Sequence, residues 1–187
     1  MTVSDACRVV EEFDPGADGL ARKSRELTLD LLRQTNAPFS RHQFTPGHVT
    51  CTALVLHPDE AKVLFMYHHR LHRWLLPGGH VEESDASLAA AAAREAAEET
   101  LVQIDGGRAA RLAGIDVHGI PGKRDEPFHL HHDLIWCFTA LTEEVTITDE
   151  APSVVWAQEA DWDRLNVADS IRNSIHRLKP KLPATES

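Results

Sequence analysis

At 187 residues, 42% hydrophobic and 26% charged, the chain has the apolar content for one packed domain with at most a helical addition. A formal net charge of −10 without a basic stripe argues against sequence-independent binding to nucleic acid, and no apolar run approaches the roughly 20 residues of a membrane span. Cys7, Cys51 and Cys137 lie far apart and form no C-x-x-C pair, so neither a disulfide framework nor a thiolate zinc site is expected. The opening MTVSDACRVVEEF is acidic and amphipathic rather than signal-like, and a cytoplasmic location is the expectation.

In chain order, a first helix is expected from an N-cap at Ser4 to Phe13, broken by DPGADG at residues 14–19. A second runs over Leu20–Thr35, with Leu27, Leu31 and Leu32 at helical spacing. After a loop over 36–46, the β-branched and apolar runs His48–His57 and Lys62–Tyr67 predict a strand pair. Trp74–Asp85 holds a Pro-Gly-Gly turn, and Ala86–Thr100, with five consecutive alanines, has high helix propensity. Strands are predicted at Gly114–His118, His129–Ala140 and Val154–Ala157, short helices at Glu159–Leu165 and Ser170–Leu178, and a frayed tail. Helices and strands alternating around a mixed sheet place the fold in the α/β or α+β class.

The chemically informative helix ends in Arg94, Glu95, Glu98 and Glu99. Positions i, i+3 and i+4 stack the three carboxylates on one face, in the last turns. There the negative end of the helix dipole disfavours each by about 0.3–1 kcal/mol, and like charges at this spacing repel. Only Arg94 lies in the same turns as a cation. A solvated acidic face is the plain explanation of such a run. A hard divalent ion such as Mg²⁺ or Mn²⁺, which prefers oxygen ligands shared with substrate phosphates, is the chemical one.

Gly79, Arg94-Glu95 and Glu98-Glu99 resemble the Nudix box, written G-x5-E-x7-R-E-U-x-E-E-x-G-U, and Leu76-Pro77-Gly78-Gly79 before it and Trp156 after it match as well. PGHVT (46–50), RWLLPGGHVE (73–82), IDVHGIP (115–121) and HLHHDL (129–134) look like a bacterial Nudix branch of unassigned substrate. The resemblance implies a Nudix α/β/α sandwich with a mixed β-sheet over residues 46–180, an N-terminal helical extension over 1–45 and a flexible tail over 181–187. It also implies hydrolysis of a phosphoanhydride bond in a nucleoside diphosphate linked to another moiety, or in a related organic pyrophosphate. Glu95, Glu98, Glu99 and Gly79 would be metal ligands, and Gly78-Gly79 would supply backbone contacts. Arg94 would orient the carboxylates, Glu82 would join the outer metal shell, and Glu99, Asp133 or Glu150 would be the general base.

The box departs from the pattern twice. Counting from Gly79 puts the acidic slot on Asp85 and counting from Arg94 puts it on Ala86, so one residue is inserted and the role of Asp85, often the partner of the box arginine, stays open. Leu101 replaces the glycine expected after the helix, so its end is expected to differ locally.

His129, His131 and Asp133 alternate, so a strand points all three to one face; the branch resemblance favours a polar wall that donates to substrate or binds a further metal. His132 points the other way and reads as an exposed replacement for an apolar residue. Arg73 and His80, with His68-His69-Arg70, His72 and Lys123-Arg124, are the local cations for a phosphate or carboxylate, against plain surface solvation. His80-Val81-Glu82 mimics the H-x-E of zinc deaminases without the required P-C-x-x-C, and Walker A, G-x-S-x-G and H-E-x-x-H motifs are absent. The expected partner is a small-molecule diphosphate, with no nucleic acid, no membrane and a homodimer left open. The rivals are a Nudix-derived nucleotide sensor, which would usually have lost box glutamates, and a prenyl diphosphate isomerase, for which Cys51 or Cys137 would have to serve as acid.

Overall fold

The computed structural model describes residues 1–69, 71–105, 110–123, 126–148 and 151–178. Arg70, Arg124, Glu150 and the tail 181–187, all named above, lie outside these residues.

Among the described residues, four α-helices and seven strands form in the order α1 (Val3–Glu12), α2 (Gly19–Gln34), β1 (Gly47–Leu56), β2 (Val63–His68), β3 (Arg73–Leu75), β4 (Gly78–His80), α3 (Leu88–Thr100), β5 (Arg111–Ile120), β6 (His129–Thr139), β7 (Val154–Ala157) and α4 (Asp169–His176). α1 starts earlier than expected because Thr2, not Ser4, closes a capping box with Asp5. Asp18 caps α2 through Leu20 N–H and Ala21 N–H, and Ser87 caps α3 through Ala90 N–H at 3.1 Å. The helix expected over 159–165 shortens to a 3₁₀ turn, Glu159–Asp161, held where Asp161 accepts from Gln158 N–H at 3.2 Å. α3 closes on Leu101 in the left-handed region at φ 53°, so the leucine adopts the conformation a glycine would have supplied and the expected local difference does not arise.

One sheet runs β3-β2-β1-β6-β5, with β7 paired to β2 and β4 paired to β1. β1 and β6 are parallel, from Gly47 beside Leu130 to Leu56 beside Thr139, and the other pairs are antiparallel, so the sheet is mixed. The free edge of β1 is shared. β4 takes Thr50–Thr52, and β2 joins only at Leu56 opposite Val63. The sheet therefore forks alongside β1, next to α3.

Alternation along β1 divides the core in two. Val49, Cys51, Ala53 and Val55 face a cluster with Ala91, Ala92 and Ala96 of α3, Leu29 and Leu32 of α2, and Val10 of α1. Leu54 and Leu56 face Trp162, Leu165 and Ile171 and Ile175 of α4. The result is a Nudix-like α/β/α sandwich with helices on both faces. Leu31 and Leu32 are buried in α2 as their spacing suggests, while Leu27 sits at the rim. α1 and α2 thus share the core of the strands. Asp18 further ties them to the last helix, accepting from Asn173 Nδ2 at 3.0 Å and Arg177 Nη2 at 2.5 Å. No helix among the described residues is long and apolar enough to cross a membrane.

Candidate active site

The first half of the α4-side face of β1 is polar: His48, Thr50 and Thr52 precede Leu54 and Leu56. Parallel pairing sets His48 beside His131 and Thr50 beside Asp133, while β4 sets His80 beside Thr50 and Gly78 beside Thr52. On the other side of β6, His118 and Asp116 of β5 lie opposite His131 and Asp133. A period of two thus gathers residues from four strands onto one polar surface.

The box closes this surface from the fork. Glu99 is 6% exposed and accepts from Gly78 N–H at 2.9 Å. A Cβ on Gly79 would lie 2.6 Å from the Glu95 carboxyl, so this position admits Glu95 only because it carries no side chain. A Cβ on Gly78 would lie 2.7 Å from Thr52 Oγ1 and 2.8 Å from Cys51 O, so that turn needs a glycine to meet β1. Arg94 holds the glutamates from behind. Its Nη1 donates to Glu95 at 2.9 Å and Glu98 at 3.0 Å, Nη2 to His80 O at 2.9 Å, and Nε and Nη2 to Asp85 at 3.1 Å each. The Asp85 hydrogen bond is the largest cause keeping the guanidinium firmly charged, ahead of burial, which opposes it. The role of Asp85 left open by the inserted residue follows from the geometry: the count from Gly79 finds the partner of Arg94, and the extra residue lies between Asp85 and Arg94.

Asp133 is buried on β6 and accepts from Thr50 Oγ1 at 3.1 Å and from Thr52 Oγ1 at 2.8 and 2.9 Å. Burial raises its carboxyl above the ordinary value, against these hydroxyls. Thr52 pairs with Gly78, whose N–H binds Glu99, so Asp133 and the box helix are linked through two short steps.

The histidines form a second group. His129 is buried, its Nδ1–H donates to Pro127 O at 2.9 Å, and its ring stacks on His48 at 5.0 Å. His131 lies among His48, His80, His118 and His129 with ring centroids 4.8–5.7 Å away. Burial is the main cause lowering three of these rings: His48 falls below its ordinary value, His80 to about 4 and His131 to about 2. His118 moves the other way, raised by Asp116 2.9 Å from its Nδ1. His132 is a correction. It is 1% exposed rather than solvent-facing, packed beneath α2 with Nδ1 3.2 Å from Thr28 Oγ1, because its strand face is the one the N-terminal helices cover.

Other expected residues sit further out. Arg73 is exposed on edge strand β3, although its charge is felt at His118 across the curled sheet. Glu82 is exposed and its carboxylate accepts from Ser84 at 3.5 Å, while its N–H donates to Asp85 at 2.8 Å. His69 and His72 meet each other at 6.0 Å in the β2–β3 turn. His48, His118, Thr50 and Thr52 were not among the expected site residues; their signal was parity along β1 and β5, legible only once each strand's partners are known.

The NUDIX domain family model matches residues 46–178, well over half of the chain. The chain belongs to the NUDIX domain family. As a Nudix protein it also resembles solved structures in fold. A NUDIX hydrolase from Nitrosomonas europaea is 20% identical with a TM-score of 0.52, covering 74% of this chain and 75% of its own. The Nudix hydrolase RenU from M. smegmatis is 18% identical with a TM-score of 0.51, covering 75% and 90%. The NUDIX domain of Shewanella oneidensis NrtR, solved with ADP-ribose, is 22% identical with a TM-score of 0.50, covering 71% and 86%. No curated protein sequence matches this Nudix chain.

Proposed function

We propose that this Nudix protein is a pyrophosphohydrolase that cleaves a phosphoanhydride bond in a nucleoside diphosphate linked to another moiety, or in a related organic pyrophosphate, using Mg²⁺ or Mn²⁺. The observation that carries the reading is the Gly79–Glu95 contact beside the Gly78–Glu99 bond, which crowds box carboxylates against a glycine turn at the sheet fork. The donor set fits a hard divalent ion: Glu95, Glu98 and Glu99 offer oxygens alone, and Gly79 adds its backbone. Such an ion neutralises the diphosphate and lowers the pKa of bound water.

The chain's residues supply the rest. Arg94 orients Glu95 and Glu98. His129, His131 and His80 line the polar face for the substrate, with Arg73 and Glu82 nearer its rim. Asp133 spends its oxygens on Thr50 and Thr52, which supports a positioning role and leaves Glu99 as the better placed proton acceptor of the two. A prenyl isomerase is less well supported, since Cys51 is fully buried and its thiol is pushed up chiefly by burial.

The test is a phosphate-release screen over nucleotides, dinucleotides, nucleotide sugars, coenzyme A, prenyl diphosphates and ADP-ribose, the ligand of the similar Shewanella domain. Turnover should disappear with chelator and return with Mg²⁺ or Mn²⁺. Full turnover in chelator, or none across the panel, overturns the reading.

A further inference from the structure

Among the described residues, one group of three potential ligands has its donor atoms within 4.8 Å of one another: His48, His80 and His131, from β1, β4 and β6. His80 follows Gly79 within the box, but none of the three is a box carboxylate. The donors are all imidazole nitrogens, which suit borderline transition metals better than the Mg²⁺ that carboxylates favour.

A second observation gives the group a direction. His48 is 1% exposed, and its Nδ1 lies 3.1 Å from Gln43 O. A carbonyl can only accept, so Nδ1 carries the proton and Nε2 is left with its lone pair. That Nε2 is buried and has no hydrogen-bond partner. An imidazole whose other nitrogen donates to a backbone carbonyl is the arrangement by which proteins fix a histidine as a metal ligand. Without an ion it is a buried acceptor that nothing compensates, an unfavourable arrangement.

The spacing agrees. Metal–nitrogen bonds of about 2.0–2.1 Å in a tetrahedral arrangement put imidazole centroids about 5.2 Å apart. The observed separations are 4.8 Å for His48–His131, 5.1 Å for His48–His80 and 5.5 Å for His80–His131. A tetrahedral ion needs the donor atoms closer than their present limit of 4.8 Å, so binding would draw the half-buried rings of His80 and His131 inward.

We propose that His48, His80 and His131 form a second metal site, selective for a zinc-class divalent ion, with its fourth position open toward the polar face for water or a phosphate oxygen. The site does not rest on the hydrolase reading, and its test needs no turnover. The metal-free full-length protein is titrated with Zn²⁺ in competition with a chromophoric chelator and, separately, with Co²⁺, in the absence of substrate. Expected are one tight Zn²⁺ equivalent and the intense visible absorption of four-coordinate Co²⁺. His80→Ala and His131→Ala, checked for folding by circular dichroism, should each weaken Zn²⁺ binding at least about 100-fold, beyond the range for loss of a merely supporting partner. The double variant Glu98→Gln, Glu99→Gln should retain both signals. The proposal is overturned if the wild type binds neither ion, if either folded histidine variant binds Zn²⁺ as the wild type does, or if only the glutamate variant loses it.

Discussion

Asp85 grips Arg94 with both carboxylate oxygens, Nε to Oδ1 and Nη2 to Oδ2 at 3.1 Å each, and the paired side chains are only 5% and 19% exposed. The fork-to-fork geometry fixes the guanidinium plane, which leaves Nη1 to serve Glu95 and Glu98. Orientation of the box carboxylates thus begins in the loop ahead of α3.

Asp85→Asn should lower stability by about 1–3 kcal/mol, the range for a charged buried bond left half-made, and cut kcat at least tenfold. Burial raises the Asp85 carboxyl, but the Arg94 bonds, the Glu82 N–H and the guanidinium charge together hold it below its ordinary value. Its contribution is therefore full above the unfolded pKa of about 3.9 and is lost as pH falls through the lower folded value. Urea unfolding of both proteins checks this: the wild-type advantage should be constant near neutrality and shrink toward strongly acid pH.

Glu98 and Glu99 should separate in stability while agreeing in activity. Glu98 has a side chain 56% exposed and reaches Arg94, so Glu98→Gln should change stability within about 0.5 kcal/mol. Glu99 is buried on Gly78 N–H, an acceptor role that an amide oxygen fills more weakly; Glu99→Gln should cost about 1 kcal/mol. Both should reduce kcat by about 100-fold or more in steady-state assays with excess Mg²⁺. Either variant turning over as the wild type removes that glutamate from the reaction.

Gly79→Ala isolates the close approach to Glu95. The added methyl would lie 2.6 Å from a carboxyl at the far end of a flexible side chain, so Glu95 swings aside and the fold persists. The expected pattern is a melting temperature within a few degrees of wild type, about the effect of 1 kcal/mol in a domain of this size, beside a kcat loss of at least tenfold. A normal kcat would show that the position of Glu95 is immaterial.

Asp18 caps α2 and also binds Asn173 and Arg177, while Arg177 donates to Ala113 O at 2.9 Å and lies 5.5 Å over the Phe13 ring. Asp18→Ala should cost about 2 kcal/mol, the upper end for a cap because the ion pair goes with it. Deleting residues 1–36 should prevent stable folding of the remainder, since Val49, Cys51 and Leu134 would lose the helices over them. Near-ultraviolet circular dichroism of the truncated chain checks this; a native spectrum would make the segment a dispensable extension.

The sequence alone determined what depends on neighbours along the chain. Helix α3, its stacked glutamates and the alternating face of His129, His131 and Asp133 follow from periodicities of 3.6 and 2, which need no knowledge of distant strands. The family resemblance and the class of fold rest on the same local spacing. The tertiary structure decided what depends on which strand lies beside which. Parallel register brings His48 to His131, and the short pairing of β4 brings His80 to both, over gaps of 32 to 83 residues that no periodicity spans. His132 became buried because α2 covers its face, a choice made by the global core and invisible in a strand that reads polar on both sides. Asp85 reached Arg94 for the same reason: a loop's length in residues does not state where its carboxylate ends, and packing of the Gly78-Gly79 turn against β1 and α3 does.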